Sequence, residues 1–250
     1  MMNITPVVKQ LLIINIIFFI GTQIVGDGAF NLLALYYPEN PSFQWWQIIT
    51  HMFMHANIMH IVFNMFALYS FGSALEHFWG GKKFLFFYIS CGLGSALLHL
   101  GVTYLQFHNG FDLLTTAGFP KTEILKLLGD GRYDQRWEDT LNPAQFNQFV
   151  GSFVSPTVGA SGAIYGLLVA FAFMFPNAEL ALMFIPIPIK AKYFVSGLLM
   201  VDLFLGLKGD SLFGSGGTGT AHFAHLGGAI LGFLMMWYWK KNQFNKNRWD

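Results

Sequence analysis

Six apolar stretches divide the chain, at about residues 7–25, 48–75, 84–104, 158–175, 193–207 and 221–239. Most approach the roughly 20 residues that a helix needs to cross the hydrocarbon core of a bilayer. The pattern predicts an all-α integral membrane protein with six transmembrane helices in a single membrane domain, residues 1–250. The first stretch is followed by no small-x-small cleavage site and is long enough to anchor permanently, so it reads as a span rather than a signal peptide. Between the third and fourth stretches, residues 106–158 carry six acidic side chains against four basic ones and form a soluble insertion. Within it, Lys121 to Leu128 reads as a short amphipathic helix and Asn142-Pro143 as the start of another.

Composition agrees: 54% of residues are hydrophobic and 11% charged, with a mean hydropathy of +0.48, whereas a soluble domain carries about 25% charged residues. A net charge of +1 without a basic cluster away from the ends excludes a nucleic-acid partner. The single cysteine, Cys91, lies in an apolar run and excludes an internal disulfide framework. Lys82 and Lys83, Lys190 and Lys192, and the terminal Lys240, Lys241, Lys246 and Arg248 fall on one side of a six-span chain. The loop of residues 27–50, with Trp45-Trp46 and no lysine or arginine, falls with the acidic insertion on the other. The distribution predicts a multi-pass protein of the cell membrane with both termini cytoplasmic.

Polar residues inside the spans are the candidates for chemistry. The second stretch holds His51, His55, His60 and Asn64, with His60 and Asn64 on one helix face. His51 and His55 also share a face and are read as satisfying loop carbonyls. No H-E-x-x-H is present and no carboxylate adjoins these histidines, so neither metal nor cofactor is expected. Gly214 to Gly219 fits G-x-G-x-x-G but lacks the preceding strand of a dinucleotide loop, and reads as a flexible connection. Glu76 is read as accepting hydrogen bonds from its own turn.

Gly162 and Gly166 form a G-x-x-x-G that allows close approach of another helix, and Gly228 and Gly232 form a second. Ser161 precedes the first pair and His225 lies three residues before the second, so packing the two glycine faces brings a hydroxyl to an imidazole. Orientation places the starts of the second, fourth and sixth spans on the outer side together. Acyl transfer needs a hydroxyl, a base within reach and donors for the developing oxyanion. Ser161 and His225 supply the first two. The Ser161 backbone N–H, Asn64 and His60 are the candidate donors. Asp202 is placed mid-span and no acid is expected to orient His225, which leaves a dyad.

These residues resemble the rhomboid intramembrane serine proteases. Gly159-Ala160-Ser161-Gly162 is similar to the family's G-x-S-G around the nucleophile, with Tyr165 where the family has a tyrosine packed on the catalytic histidine. Ala224-His225 through Gly228 and Gly232 is similar to A-H-x-x-G-x-x-x-G, which selects His225 over His222. His60 and Asn64 fit H-x-x-x-N, and Gly72, Glu76 and Gly80 fit G-x-x-x-E-x-x-x-G. The resemblance implies a six-helix rhomboid-like bundle. It implies a serine endopeptidase with a Ser161–His225 dyad, which hydrolyses peptide bonds in or near transmembrane segments of single-pass or multi-pass membrane proteins, without metal or cofactor. Hydrolysis consumes water, so the site is expected to open to the extracytoplasmic side. Motion of the fifth span and the Gly214–Gly219 loop is expected to admit substrate sideways from the lipid bilayer. Two features depart from the family: Gln47 follows Trp46 where the family often has arginine, and the insertion is longer than in compact members.

Overall fold

A computed structural model describes residues 4–182, 185–209 and 219–242. Lys246 and Arg248, Asp210, and residues 214–218 of the glycine-rich connection lie outside the described residues. The protein is a helical membrane bundle, with helix in each of the six apolar runs.

The first helix, α1 (Pro6–Val25), turns Ile17, Ile20 and Ile24 outward. Apolar side chains facing away from the protein are what a lipid solvent requires of a spanning helix. Two short helices, α2 (Asp27–Leu33) and α3 (Gln47–Thr50), lie in the first loop. A two-residue antiparallel bridge between Leu35 and Thr157 ties this loop to the segment before the fourth apolar run.

The second apolar run is not a uniform helix. After α3 come a 3-10 turn at His51–Phe53 and extended backbone at Met54. The Asn57 side chain then accepts a hydrogen bond from the His60 N–H at 2.9 Å and starts α4 (Ile58–Ala67) afresh. The expectation that His51 and His55 share a helix face is therefore corrected. A π-helical turn at Leu68–Gly72 joins α4 to α5 (Ser73–Trp79).

The helix that follows, α6 (Gly81–Thr116), has 36 residues and is roughly 54 Å long, against roughly 30 Å for a hydrocarbon core. It continues well past Gln106, where the sequence reading had the chain leaving the membrane, because no strong helix breaker occurs before Gly118, whose φ is +97°. The insertion packs on this extension through α7 (Lys121–Gly129), α8 (Trp137–Thr140) and α9 (Pro143–Val154). Asn142 and Gln145 form a reciprocal capping box at the start of α9. Phe107, Phe111, Ile124, Leu128, Trp137 and Phe149 make a separate apolar core, so the insertion is a folded helical cap.

Next, α10 (Ser161–Met174) is apolar throughout. A hairpin of β1 (Glu179–Leu182) and β2 (Ile185–Lys190) follows, pairing Glu179 with Lys190 and Leu180 with Ile189. The sequence reading had only a turn here. Every strand of a two-stranded sheet is an edge strand, which is where Pro186 and Pro188 are tolerated. Then come α11 (Ala191–Lys208) and α12 (Thr220–Asn242), the latter packed on both α6 and α10.

Among the described residues, three helices are long and apolar enough to cross a membrane by themselves: Pro6–Val25, Ile58–Trp79 and Gly81–Thr116. The lysine-bearing ends meet on one face. Lys83 Nζ lies 4.0 Å from the Trp239 ring and Lys240 Nζ 5.3 Å from the Phe173 ring. At the same end Glu76 accepts hydrogen bonds from the N–H groups of Val7 (2.9 Å) and Val8 (2.8 Å) and from the Thr5 hydroxyl. Glu76 thus has the structural role expected of it, but its partners are the orphan donors at the start of α1 rather than its own turn. The starts of α10 and α12 lie at the opposite end.

Candidate active site

The site begins with glycine. A Cβ on Gly228 would overlap the carbonyl of Gly162, and one on Gly232 would lie 2.8 Å from Gly166 Cα, so α10 and α12 touch backbone to backbone. At the same glycines, Cys91 and Ser95 of α6 fill the space against Gly166 and Gly162. Cys91 is a buried packing residue. With these helices clamped, the first residue of α10 faces the second turn of α12, and Ser161 Oγ lies 2.9 Å from His225 Nε2.

Two further contacts fix the His225 ring. Tyr165, one turn along α10, stacks on it with ring centroids 4.2 Å apart and planes 13° from parallel. Asp202 of α11 brings Oδ1 to 3.1 Å from His225 Nδ1, which corrects the expectation that no acid orients this histidine. Burial of an aspartate in an apolar helix is accommodated by such partners. The same Oδ1 lies 2.5 Å from His222 Nδ1. Since a carboxylate oxygen only accepts, both imidazoles present Nδ1–H to it, and the His225 Nε2 lone pair is left facing the Ser161 hydroxyl. That is the tautomer a general base needs. Tyr165 is also within electrostatic reach of Asp202, while Asp202 Oδ2 is buried without a well-formed hydrogen bond.

On the other flank of Ser161, Gly159 has φ +133°, which favours glycine. A Cβ there would sit 2.9 Å from His60 Nε2 and 3.4 Å from Ser161 Oγ, so Gly159 keeps open the gap across which His60 faces the hydroxyl. One turn further along α4, Asn64 is buried and its Nδ2 has no hydrogen-bond partner among the described residues. An unused buried amide donor costs stability unless something else occupies it. His55 stacks edge-on against His60 at 5.0 Å. Neither of its ring nitrogens makes a well-formed hydrogen bond among the described residues, but the Phe53 carbonyl lies within electrostatic reach of the ring. For His51 the reading that it satisfies a carbonyl holds: its Nδ1 lies 2.8 Å from the Gln47 carbonyl.

Two residues that the sequence reading undervalued organise the surroundings. Asp202 is a carboxylate at membrane depth, and that rarity is the sequence signal for its role. Gln47 is fully buried. Its Oε1 accepts from the N–H of Gln44 at 3.1 Å, and its Nε2 donates to the carbonyls of Asn31 at 3.0 Å and Ser42 at 2.9 Å. A neutral amide there cross-braces the first loop, a role that sequence position alone does not reveal. Asp202, His222 and His225 also form the one group of ligating side chains, among the described residues, whose atoms lie within 4.8 Å of one another.

The model of the Rhomboid domain family matches residues 42–118 and 141–242 of this chain. The gap between the two matched segments holds α7 and α8 of the insertion. The chain is similar to Rhomboid protein 1, mitochondrial, of Saccharomyces cerevisiae, with 26% identity over 195 residues, 78% of this chain and 42% of that protein. It is similar to RHOMBOID-like protein 12, mitochondrial, of Arabidopsis thaliana, with 27% identity over 198 residues, 79% of this chain and 47% of that one. Over 54 residues it is 35% identical to rhomboid protease GluP of Bacillus subtilis, covering 22% of this chain and 11% of that one. The chain spans about half or less of the length of these relatives.

Proposed function

The chain belongs to the rhomboid family, and from that premise we propose that it is an intramembrane serine endopeptidase that cleaves peptide bonds in or near the transmembrane segments of other membrane proteins. The observation that carries this reading is the 2.9 Å approach of His225 Nε2 to Ser161 Oγ. An isolated helix serine is a packing residue. One that shares its proton with an oriented imidazole is a nucleophile with its base.

In the proposed sequence, Ser161 Oγ attacks the scissile carbonyl while its proton passes to His225 Nε2. The imidazolium is stabilised by the Asp202 carboxylate at Nδ1, so the dyad has a third, orienting member. The tetrahedral oxyanion lies among the Ser161 backbone N–H, the Asn64 amide and His60. The Ser161 N–H is available because it belongs to the first turn of α10, where N–H groups have no intrahelical acceptor. His225 then protonates the leaving amine, the carbon–nitrogen bond breaks, and a water activated by His225 hydrolyses the acyl-enzyme.

The six helical runs are proposed as six crossings, with the lysine-bearing face cytoplasmic and the catalytic face opening to the other side. The 14-residue α10 starts its crossing below that surface, which recesses Ser161 while a water-filled opening supplies the second substrate.

The test is labelling of the purified, folded chain with a serine-directed fluorophosphonate, with cleavage of a model transmembrane substrate run in parallel. Labelling and cleavage that disappear in both Ser161→Ala and His225→Ala support the proposal. A folded wild type that neither labels nor cleaves overturns it.

A further inference from the structure

The proposed mechanism needs one imidazole on Asp202, yet two are present. His222 lies three residues before His225 on α12 and places its own Nδ1 2.5 Å from the oxygen that His225 uses. All three side chains are largely enclosed: His222 is 7%, Asp202 2% and His225 22% exposed. Asp202 Oδ2 is buried and makes no well-formed hydrogen bond, with Tyr165 within electrostatic reach of the carboxylate. A second histidine on the same carboxylate, beside a base already oriented, is not required for peptide hydrolysis.

Together they form a donor set. Two neutral imidazoles and one carboxylate, with a fourth position left over, are the ligands of an open tetrahedral Zn2+ site. In such a site, metal–ligand bonds of about 2.0–2.1 Å separate neighbouring donor atoms by about 3.3 Å. The donor atoms here lie within 4.8 Å of one another, with Oδ1 already 2.5 and 3.1 Å from the two nitrogens. Seating the ion widens the 2.5 Å approach of Oδ1 to His222 Nδ1 toward that spacing, and Asp202 Oδ2 or a water completes the shell. Of the three side chains, His225 is the most exposed.

We propose that Asp202, His222 and His225 form a regulatory Zn2+ site whose occupation switches the serine off. The consequence for catalysis follows from the tautomer. To bind metal, each Nδ1 must offer its lone pair, so each ring proton moves from Nδ1 to Nε2 with no net loss of protons. His225 Nε2 then carries hydrogen and donates toward Ser161 Oγ, and it no longer accepts the hydroxyl proton. Zn2+ therefore inhibits without touching the serine, and its removal by a chelator restores the base.

This inference rests on the serine-protease reading for its effect on cleavage, but not for binding. The experiment titrates chelator-buffered Zn2+ onto the purified full chain and reads two quantities, bound zinc by equilibrium dialysis and cleavage of a transmembrane substrate. Wild type should bind one Zn2+ and lose cleavage over the same concentration range, with recovery in EDTA. Ser161→Ala should bind zinc as wild type does.

His222→Gln keeps a donor for Asp202 but removes a metal ligand. It should retain cleavage in EDTA, while its inhibition midpoint rises by more than the roughly 10–100-fold that loss of an outer-shell partner costs a metal site. X-ray absorption at the zinc edge of the wild type needs no variant and should count two imidazoles. An unchanged midpoint in His222→Gln, substoichiometric zinc at inhibiting concentrations, or an edge spectrum without two imidazoles overturns the site. Absence of cleavage in EDTA overturns the protease reading instead, and the dialysis and absorption results still judge the metal site.

Discussion

Asp202 Oδ1 lies 3.1 Å from Nδ1 of His225, on the side of the ring opposite Ser161. The carboxylate sits on a different helix from both Ser161 and His225, and in the proposed mechanism α11 reaches the base through this contact.

Asp202→Asn tests that contact. An amide nitrogen facing Nδ1 favours the wrong tautomer and gives the imidazolium no counter-charge. We expect kcat to fall by about 10²–10⁴-fold with KM little changed. Steady-state kinetics on a transmembrane substrate measure it, and a fall of less than about tenfold would remove Asp202 from the mechanism.

Asn64 has a buried amide donor with no partner among the described residues, which is how a group reserved for a transient charge looks before the charge exists. Asn64→Ala should lower kcat by about 10²–10³-fold. It should leave fluorophosphonate labelling slower but present, because Ser161 and His225 are untouched. Unchanged turnover would assign the oxyanion to the other donors.

The glycine clamp predicts a contrast between two chemically identical changes. Gly228→Ala forces a methyl into the Gly162 carbonyl, and overpacking of this kind costs about 1–3 kcal/mol. It should lower thermal stability and, by separating α10 from α12, reduce cleavage as well. Gly101→Ala, on α6, meets nothing within 4 Å and should be neutral or stabilising by up to about 1 kcal/mol through helix propensity. Equal thermal midpoints for the two variants would contradict the clamp.

Glu76 accepts from three donors at the start of α1. Truncation to alanine strands two backbone N–H groups at a partly buried end, each costing about 1–3 kcal/mol. Glu76→Ala should unfold at lower temperature, whereas the specific activity of its folded fraction should match wild type because the site lies at the other end of the bundle. A selective loss of kcat with unchanged stability would instead mean that the carboxylate acts at a distance.

Much of the site was legible because spacing along a helix survives folding. Ser161 next to Gly162 and Gly166, and His225 three residues before Gly228, carry their own statement of which faces meet. Asn64 one turn after His60 likewise had to share its direction. The β1–β2 hairpin was not legible, since Ile-Pro-Ile-Pro-Ile reads equally as a turn until Glu179 and its neighbours supply a partner strand. Nor was the break before α4, where one asparagine cap outweighs an apolar run that otherwise continues.

The sequence by itself determined that the chain is apolar enough to live in a membrane, which six runs carry helix, and which hydroxyl and imidazole stand beside close-packing glycines. These are properties of composition and of the 3.6-residue period. Only the tertiary structure decided that Asp202 reaches across from α11 to both His222 and His225, that Glu76 caps a helix some seventy residues earlier in the chain, and that the insertion folds as a cap on an extended α6. Such contacts join residues far apart in sequence, and their direction depends on how helices rotate and cross, which no local pattern encodes.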